Sequence, residues 1–170
     1  MLKQSIGELI NSFAQTGELV WIGVRPERGA PMQQVDEVMV NQRHGLIGDR
    51  YQGSSGKRQV TLMQWEHLAV LESLTGLTVT PDMLRRNLVI KGINLLALKN
   101  QHFYIGAALF KYTGLCQPCS RMETILGHGG YNAMRGHGGL TAQVLQGGLM
   151  RVGDQLSVVV QQSTDVAVSH

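Results

Sequence analysis

Short apolar runs, several of them closed by glycine or proline, recur along this chain from Leu19 to Val160, and few are long enough to build a helix. Runs of this length between turn residues suit strands. Leu19-Val20-Trp21-Ile22-Gly23-Val24 reads as a buried strand, and Val35 to Val40 as a second beyond the turn from Pro26 to Pro31. Gln59-Val60-Thr61-Leu62 alternates polar with apolar residues. Leu88-Val89-Ile90 runs into Gly92, Ala108 to Thr113 alternates again, and Leu140 to Leu145 and Gln155 to Val160 add two more. Helical spacing is confined to three places. Leu2, Ile6, Leu9, Ile10 and Phe13 predict an amphipathic helix over 3–15. Trp65, Leu68, Leu71 and Leu74 predict another, stopped by Gly76, and Thr80-Pro81-Asp82 starts a short turn of helix. Roughly seven or eight short strands with so few helices predict a mainly β chain, a closed or nearly closed β-barrel with a few peripheral helices. The domain plan is an N-terminal helix within 1–16, a barrel over 17–160 and a frayed tail over 161–170.

At 170 residues the chain can bury a core without staples, and 43% hydrophobic with 16% charged content fits a globular protein. No apolar run approaches the roughly 18 residues that span a bilayer, and the first residues do not read as an export signal, so no membrane partner and a cytoplasmic location are expected. A net charge of +3 without a lysine-rich run makes no case for nucleic acid. The arginines are more telling. Arg50, Arg58, Arg85, Arg86, Arg121 and Arg135 all lie in or beside turns, where guanidinium forks suit phosphate or carboxylate.

The only two cysteines, Cys116 and Cys119, share one turn, Cys116-Gln117-Pro118-Cys119. In a reducing compartment such a pair points to redox, metal or sulfur chemistry more than to a structural disulfide. A helix is expected from Ser120 to Leu126. Its start would favour an anionic sulfur on Cys119, which makes Cys119 better placed than Cys116 for reaction. Three other readings compete. A thioredoxin-like motif needs a βαβ setting that this region lacks. Zinc could use Cys116, Cys119, His128 and His137, although the histidine spacing is wide for a finger. Two small thiols could also fill space beside a turn.

Three further segments carry chemistry. Gly127 to Gly139 holds six glycines in thirteen residues, with Arg135 and Gly136 among them, and is either a backbone cradle for an anion or a series of tight turns. Gly48-Asp49-Arg50 precedes Arg58-Gln59-Val60 across a long loop, 41–57, of the kind usually kept for function. In Arg86-Asn87 the asparagine suits a heterocycle edge and the arginine its phosphate.

In this order the pieces resemble the MOSC domain, the family of the C-terminal part of molybdenum cofactor sulfurase. The matching residues are Gly48-Asp49-Arg50, Arg58 to Leu62 with Glu66, Arg86 to Gly92, Ile105-Gly106, Thr113-Gly114 through Pro118-Cys119, and Gly136 to Gly153-Asp154. The resemblance covers about residues 17 to 160 and implies a small stand-alone bacterial MOSC protein. It implies a barrel with Cys119 as the reactive residue, which in relatives either binds molybdenum through the pterin cofactor or carries persulfide. The cofactor-binding set it implies is Arg50, Arg58, Arg86, Asn87, Thr113, Arg121, Arg135 and Gly136. Two departures stand out. Cys116 replaces a basic residue often found three positions before the reactive cysteine, and could act as a resolving thiol. Tyr51 stands where the family often has histidine after Gly48-Asp49-Arg50.

Three functions follow as expectations. The first is a molybdenum-cofactor enzyme that reduces small N-hydroxylated substrates, with electrons from a partner protein and Cys119 as metal ligand. The second is a sulfur carrier, with persulfide on Cys119 supplied by a cysteine desulfurase, because no aminotransferase-like half is present to make it. The third is a non-catalytic binding barrel.

Overall fold

A computed structural model describes residues 3–160, so the tail expected over 161–170 lies outside the described residues. The elements run α1 (Ile6–Ile10), β1 (Gly17–Val24), β2 (Gln33–Val35), β3 (Glu37–Asn41), β4 (Gly45–Leu46), β5 (Val60–Gln64), α2 (Glu66–Thr75), α3 (Pro81–Leu84) and β6 (Leu88–Lys91). A 3₁₀ turn (Leu95–Leu98) leads to β7 (His102–Ile105), β8 (Ala108–Leu115), α4 (Ser120–Leu126), α5 (Gly130–Met134), β9 (Leu140–Gln146), β10 (Gly148–Arg151) and β11 (Gln155–Val158).

Seven strands close into a ring in the order β11-β7-β8-β9-β5-β6-β1, with β1 returning to β11, so the mainly β barrel is what the chain forms. Closure removes the free edges that a sheet of this size would otherwise expose. The closing pairs are Gly17 with Leu156 and Glu18 with Gln155. Gly17 opens β1 at this seam. A side chain there would press on Ile90 and Ile93, so glycine is what lets the two strands meet. β5 and β6 are parallel and joined through α2 and α3, and the other pairs in the ring are antiparallel. The expected strand over 35–40 is split at Asp36. β2 pairs with β1, whereas β3 joins β10 and β4 in a small second sheet.

Side-chain alternation sorts the apolar residues into two cores. Leu62, Leu88, Ile90, Phe110, Val144 and Leu156 point into the ring, where Phe103 stacks on Phe110 with ring centres 5.7 Å apart. Met63 and Val89 point the other way, with Trp21, and meet Leu68 and Leu71 of α2, Leu84 of α3, Met122 and Leu126 of α4 and Met134 of α5. The helices therefore cover one side of the barrel and fix the start of α4 against it.

Helix α1 departs from expectation. A Ser5–Glu8 capping box starts it, but it ends at Asn11, and Ile6, Leu9 and Ile10 stay exposed; among the described residues of that apolar set only Phe13 packs on the core. The periodicity was real, but no surface lies opposite it to prolong the helix. β7 and β10 were not anticipated. β7 follows a leucine-dense 3₁₀ turn that hides its start, and β10 is only four residues long beside two glycines. Among the described residues no helix is long and apolar enough to cross a membrane.

On the helical side, His67 of α2 meets His137 edge-to-face, with ring centres 4.9 Å apart, and the buried His67 Nδ1 has no hydrogen-bond partner among the described residues. Burial first, and then His137, hold the His67 pKa below its ordinary 6.5, although Glu66 pulls it back. The unfolded chain then binds the proton more readily than the folded one, so folding stability is full above about pH 6.5 and falls as pH drops below it. Urea midpoints taken between pH 7.5 and 5 should decline, and His67→Gln should flatten that decline.

Candidate functional site

The open end of the barrel beside α4 holds a cavity of about 730 Å³. Its wall is assembled from the end of β1 (Arg25), the loop from Asp49 to Ser55, the start of β5 (Arg58, Gln59, Thr61), the α3–β6 junction (Arg85, Arg86, Asn87), the cysteine turn and the first residues of α4. Six arginines line it against one carboxylate, Asp49. A cavity with this wall attracts anions.

Cys119 stands at the start of α4 as its N-cap, in extended backbone, with its side chain exposed. The helix it begins is the one expected from Ser120 to Leu126. Cys116 is buried at 4% exposure, although it too lines the cavity, and both thiols are free. The two therefore differ in access: a reagent meets Cys119 first.

The turn is held from behind. Cys116 N–H donates to the Gly139 carbonyl at 2.9 Å. A Cβ on Gly138 would run into the Cys116 carbonyl, and one on Gly139, where φ is +82°, into the Leu62 carbonyl. This close backbone approach is what the glycines at the end of the Gly127–Gly139 stretch provide. The rest of that stretch does cradle an anion, but the anion is the chain's own. Glu123 accepts from Tyr131 N–H at 2.8 Å and Gly129 N–H at 2.7 Å, and those two bonds hold its carboxyl below the usual carboxylate range. Part of the remaining stretch forms α5, and Arg135 and Gly136 at its end do not line the cavity, with Arg135 exposed.

Two other expected binding residues are engaged inside the protein. Arg86 donates through Nε to the Gly138 carbonyl at 2.8 Å, and through its terminal nitrogens to Leu84 and Cys116 carbonyls at 2.9 and 3.4 Å. Asn87 Oδ1 accepts from both the amide and the hydroxyl of Thr61, and its Nδ2 donates to the Gly23 carbonyl. Arg86 and Asn87 touch the cavity wall but serve as a clamp and a cross-strand tie. Thr113 Oγ1 bonds the Lys57 carbonyl and Thr141, and lies off the lining. Arg50, Arg58, Cys116, Cys119 and Arg121 are brought together as expected.

The sequence reading overlooked Arg25. Asp49 Oδ1 accepts from the Arg25 backbone N–H at 2.8 Å and lies 3.8 Å from its Nε, while Arg50 N–H donates to the Arg25 carbonyl. The Gly48-Asp49-Arg50 turn is thereby fastened to β1, with Arg50 beside Arg25. A basic residue ending a strand before Pro26 was the available signal. Burial above all, then Arg50, Arg86 and Arg121, lowers the Arg25 pKa against the pull of Asp49. Arg85 is lowered by burial and then by Arg25, Arg121 and Arg50, so these guanidiniums form one field. The zinc set does not gather. His128 is in solvent, His137 packs on His67, and among the described residues no three metal-ligating side chains cluster.

Residues 32–157 match the MOSC domain. The chain belongs to the MOSC domain family. No curated protein matches it. Among solved structures, YuaD of Bacillus subtilis aligns with TM-score 0.74 at 17% identity, over 89% of this chain and 100% of that one. YiiM of Geobacillus stearothermophilus aligns with TM-score 0.70 at 20% identity, over 87% and 77%, and YiiM of Escherichia coli with 0.66 at 21%, over 86% and 71%. At these identities the likeness is one of fold, and within the MOSC fold the cysteine turn opens on the arginine-lined cavity.

Two outcomes check this geometry. Gly139→Ala adds strain at a left-handed position as well as the collision with Leu62, and should lower unfolding stability by about 2 kcal/mol or more in urea denaturation. Arg86→Lys keeps the charge but cannot bond three carbonyls in one plane. Iodoacetamide should then label Cys116 several-fold faster than in the parent, with Cys119 labelling little changed.

Proposed function

We propose that this MOSC protein binds the molybdenum cofactor and reduces small N-hydroxylated compounds, with Cys119 as the thiolate that would hold the metal. The observation that carries this reading is the juxtaposition, in one cavity, of an exposed thiol and guanidinium groups with unused donors. A soft thiolate suits molybdenum, and planar guanidiniums suit the pterin phosphate. Fit can be judged from the donors. Among the described residues the buried Nε atoms of Arg25 and Arg85 have no hydrogen-bond partner, Asp49 lying 3.8 Å from the first, which is a loss of roughly 1–3 kcal/mol for each such group unless an acceptor arrives. An anionic guest supplies it.

Within this reading Arg25, Arg50, Arg58, Arg85 and Arg121 surround the cofactor's anionic groups, Cys119 would hold the metal, and the Arg86 clamp keeps the cysteine turn in register. When bound, the molybdenum would supply the two-electron chemistry that removes the hydroxyl oxygen. The chain's own residues bind, orient and neutralise. Two cysteines are too few to hold an iron–sulfur cluster by the usual four thiolates, so electrons come from a partner protein.

The sulfur-carrier reading uses the same exposed Cys119 and separates cleanly by experiment. Protein from a molybdate-supplied host should contain molybdenum and pterin near one per chain. Cys119→Ser should lose most of the molybdenum and keep most of the pterin, because the arginines remain. Absence of both from the parent protein would overturn the proposal. A +32 Da adduct on Cys119 after incubation with cysteine and a cysteine desulfurase would then favour persulfide carriage, and absence of the adduct a binding barrel.

A further inference from the structure

His67 and His137 lie outside the cavity and the proposed chemistry uses neither, yet His137 directly precedes the backbone that holds the reactive turn. It sits between Gly136 and the pair Gly138-Gly139, with left-handed backbone at Gly136 and Gly139, φ +80° and +82°. Its ring Nδ1 lies 3.0 Å from the Ala133 carbonyl and its N–H donates to the Met134 carbonyl, which fastens it to the end of α5. The next two carbonyls grip the cysteine turn. Gly138 accepts from Arg86 Nε at 2.8 Å, and the same guanidinium reaches on to the Cys116 carbonyl. Gly139 accepts from Cys116 N–H at 2.9 Å.

The histidine contact suits two neutral rings. A carbonyl can only accept, so the bond to Ala133 places a proton on His137 Nδ1. His67 Nδ1 is buried and finds no hydrogen-bond partner among the described residues, while its ring meets that of His137 edge-to-face. Protonated, His67 would carry an N–H there without an acceptor, beside a second imidazole. Among the described residues little offsets that charge. Glu66, on the same helix, attracts the proton, but its carboxylate already accepts from Gly92 N–H. On α4, Glu123 turns to the Gly129 and Tyr131 amides, and His128 is in solvent. α5 has no carboxylate and no cation, and the sheet beneath offers Trp21, Met63 and Val89.

We infer that the His67–His137 contact is an acid-sensitive latch on the cysteine turn, which protonation of the pair releases. Leu68 and Leu71 anchor α2 in the helical core, so the glycine-flanked His137 segment is the side that yields. Its displacement slackens the Gly138 and Gly139 carbonyls and, through them, Cys116. Burial first, and then His137, makes His67 take up its proton less readily than an ordinary histidine. The latch is therefore fully shut above about pH 6.5 and opens as pH falls below it. Cys119 is displayed on a fixed turn near neutrality and on a loose one in acid, whichever group it carries. This regulation of the site stands without the cofactor reading.

Hydrogen–deuterium exchange reads the latch directly, because local opening exposes the Cys116 amide without unfolding the barrel. On the protein as isolated, and after correction for the intrinsic pH dependence of exchange, protection of peptides containing Cys116 should fall several-fold from pH 7.5 to pH 5. The β7–β8 hairpin should keep its protection. His67→Phe retains a ring against His137 but takes no proton, and should hold the turn's protection level over that range; His67→Gln serves the same purpose where the phenylalanine variant fails to fold. Dithiodipyridine, which reacts with thiols in acid, gives a second readout. At pH 5 it should label Cys116 several-fold faster in the parent than in the variant, and comparison at one pH cancels the thiol's own titration. Equal pH dependence in parent and variant overturns the latch. Simultaneous loss of protection in the turn and the β7–β8 hairpin also overturns it, by making the pair a matter of global stability alone. Neither readout needs molybdenum, so protein that proves empty, against the cofactor reading, still decides the latch.

Discussion

The buried Arg86 guanidinium ties together the three pieces of backbone on which the site depends. It joins the α3–β6 junction, the carbonyl of Gly138 ahead of β9, and the carbonyl of Cys116 in the reactive turn. A buried charge without partners would cost several kcal/mol, so the planar group and its ring of carbonyls stabilise only as a set. The adjacent Asn87 does the same for the strands, linking β1, β5 and β6 through Gly23 and Thr61. Because both residues face inward, the turn that carries Cys119 is fixed from the protein side and leaves its sulfur free on the other.

That division explains how the remaining arginines can be so crowded. Burial first, and then the neighbouring guanidiniums, lowers the proton affinity of Arg25 and of Arg85. Packing like charges together opposes folding. The two apolar cores carry that load, one within the ring and one beneath the helices. The site's electrostatics are therefore supported by residues that never touch the cavity, such as Phe103, Phe110 and Leu71.

The architecture was legible because strand-forming runs and glycine stops act locally. Gly76 closes α2, Cys119 opens α4, and the apolar run Leu88 to Ile90 forms β6. Roles at the site were less legible, because a residue's type does not say which way it faces. Arg86 and Asn87 have the chemistry of ligand contacts but are turned onto backbone groups, which only the fold determines. Arg25 was missed for the converse reason: it is one basic residue at a strand end, and nothing local says that Asp49 will be drawn up beside it. The glycine stretch divides between both cases, part helix and part close packing against Cys116.

The pairing of β1 with β11 has a consequence for how such a domain can be built into larger proteins. The first and last strands of the ring are neighbours, so the chain enters and leaves the barrel at adjacent points. A host sequence could open a surface loop, accept the whole barrel as a cassette and continue where it left off, with no strand of the ring displaced.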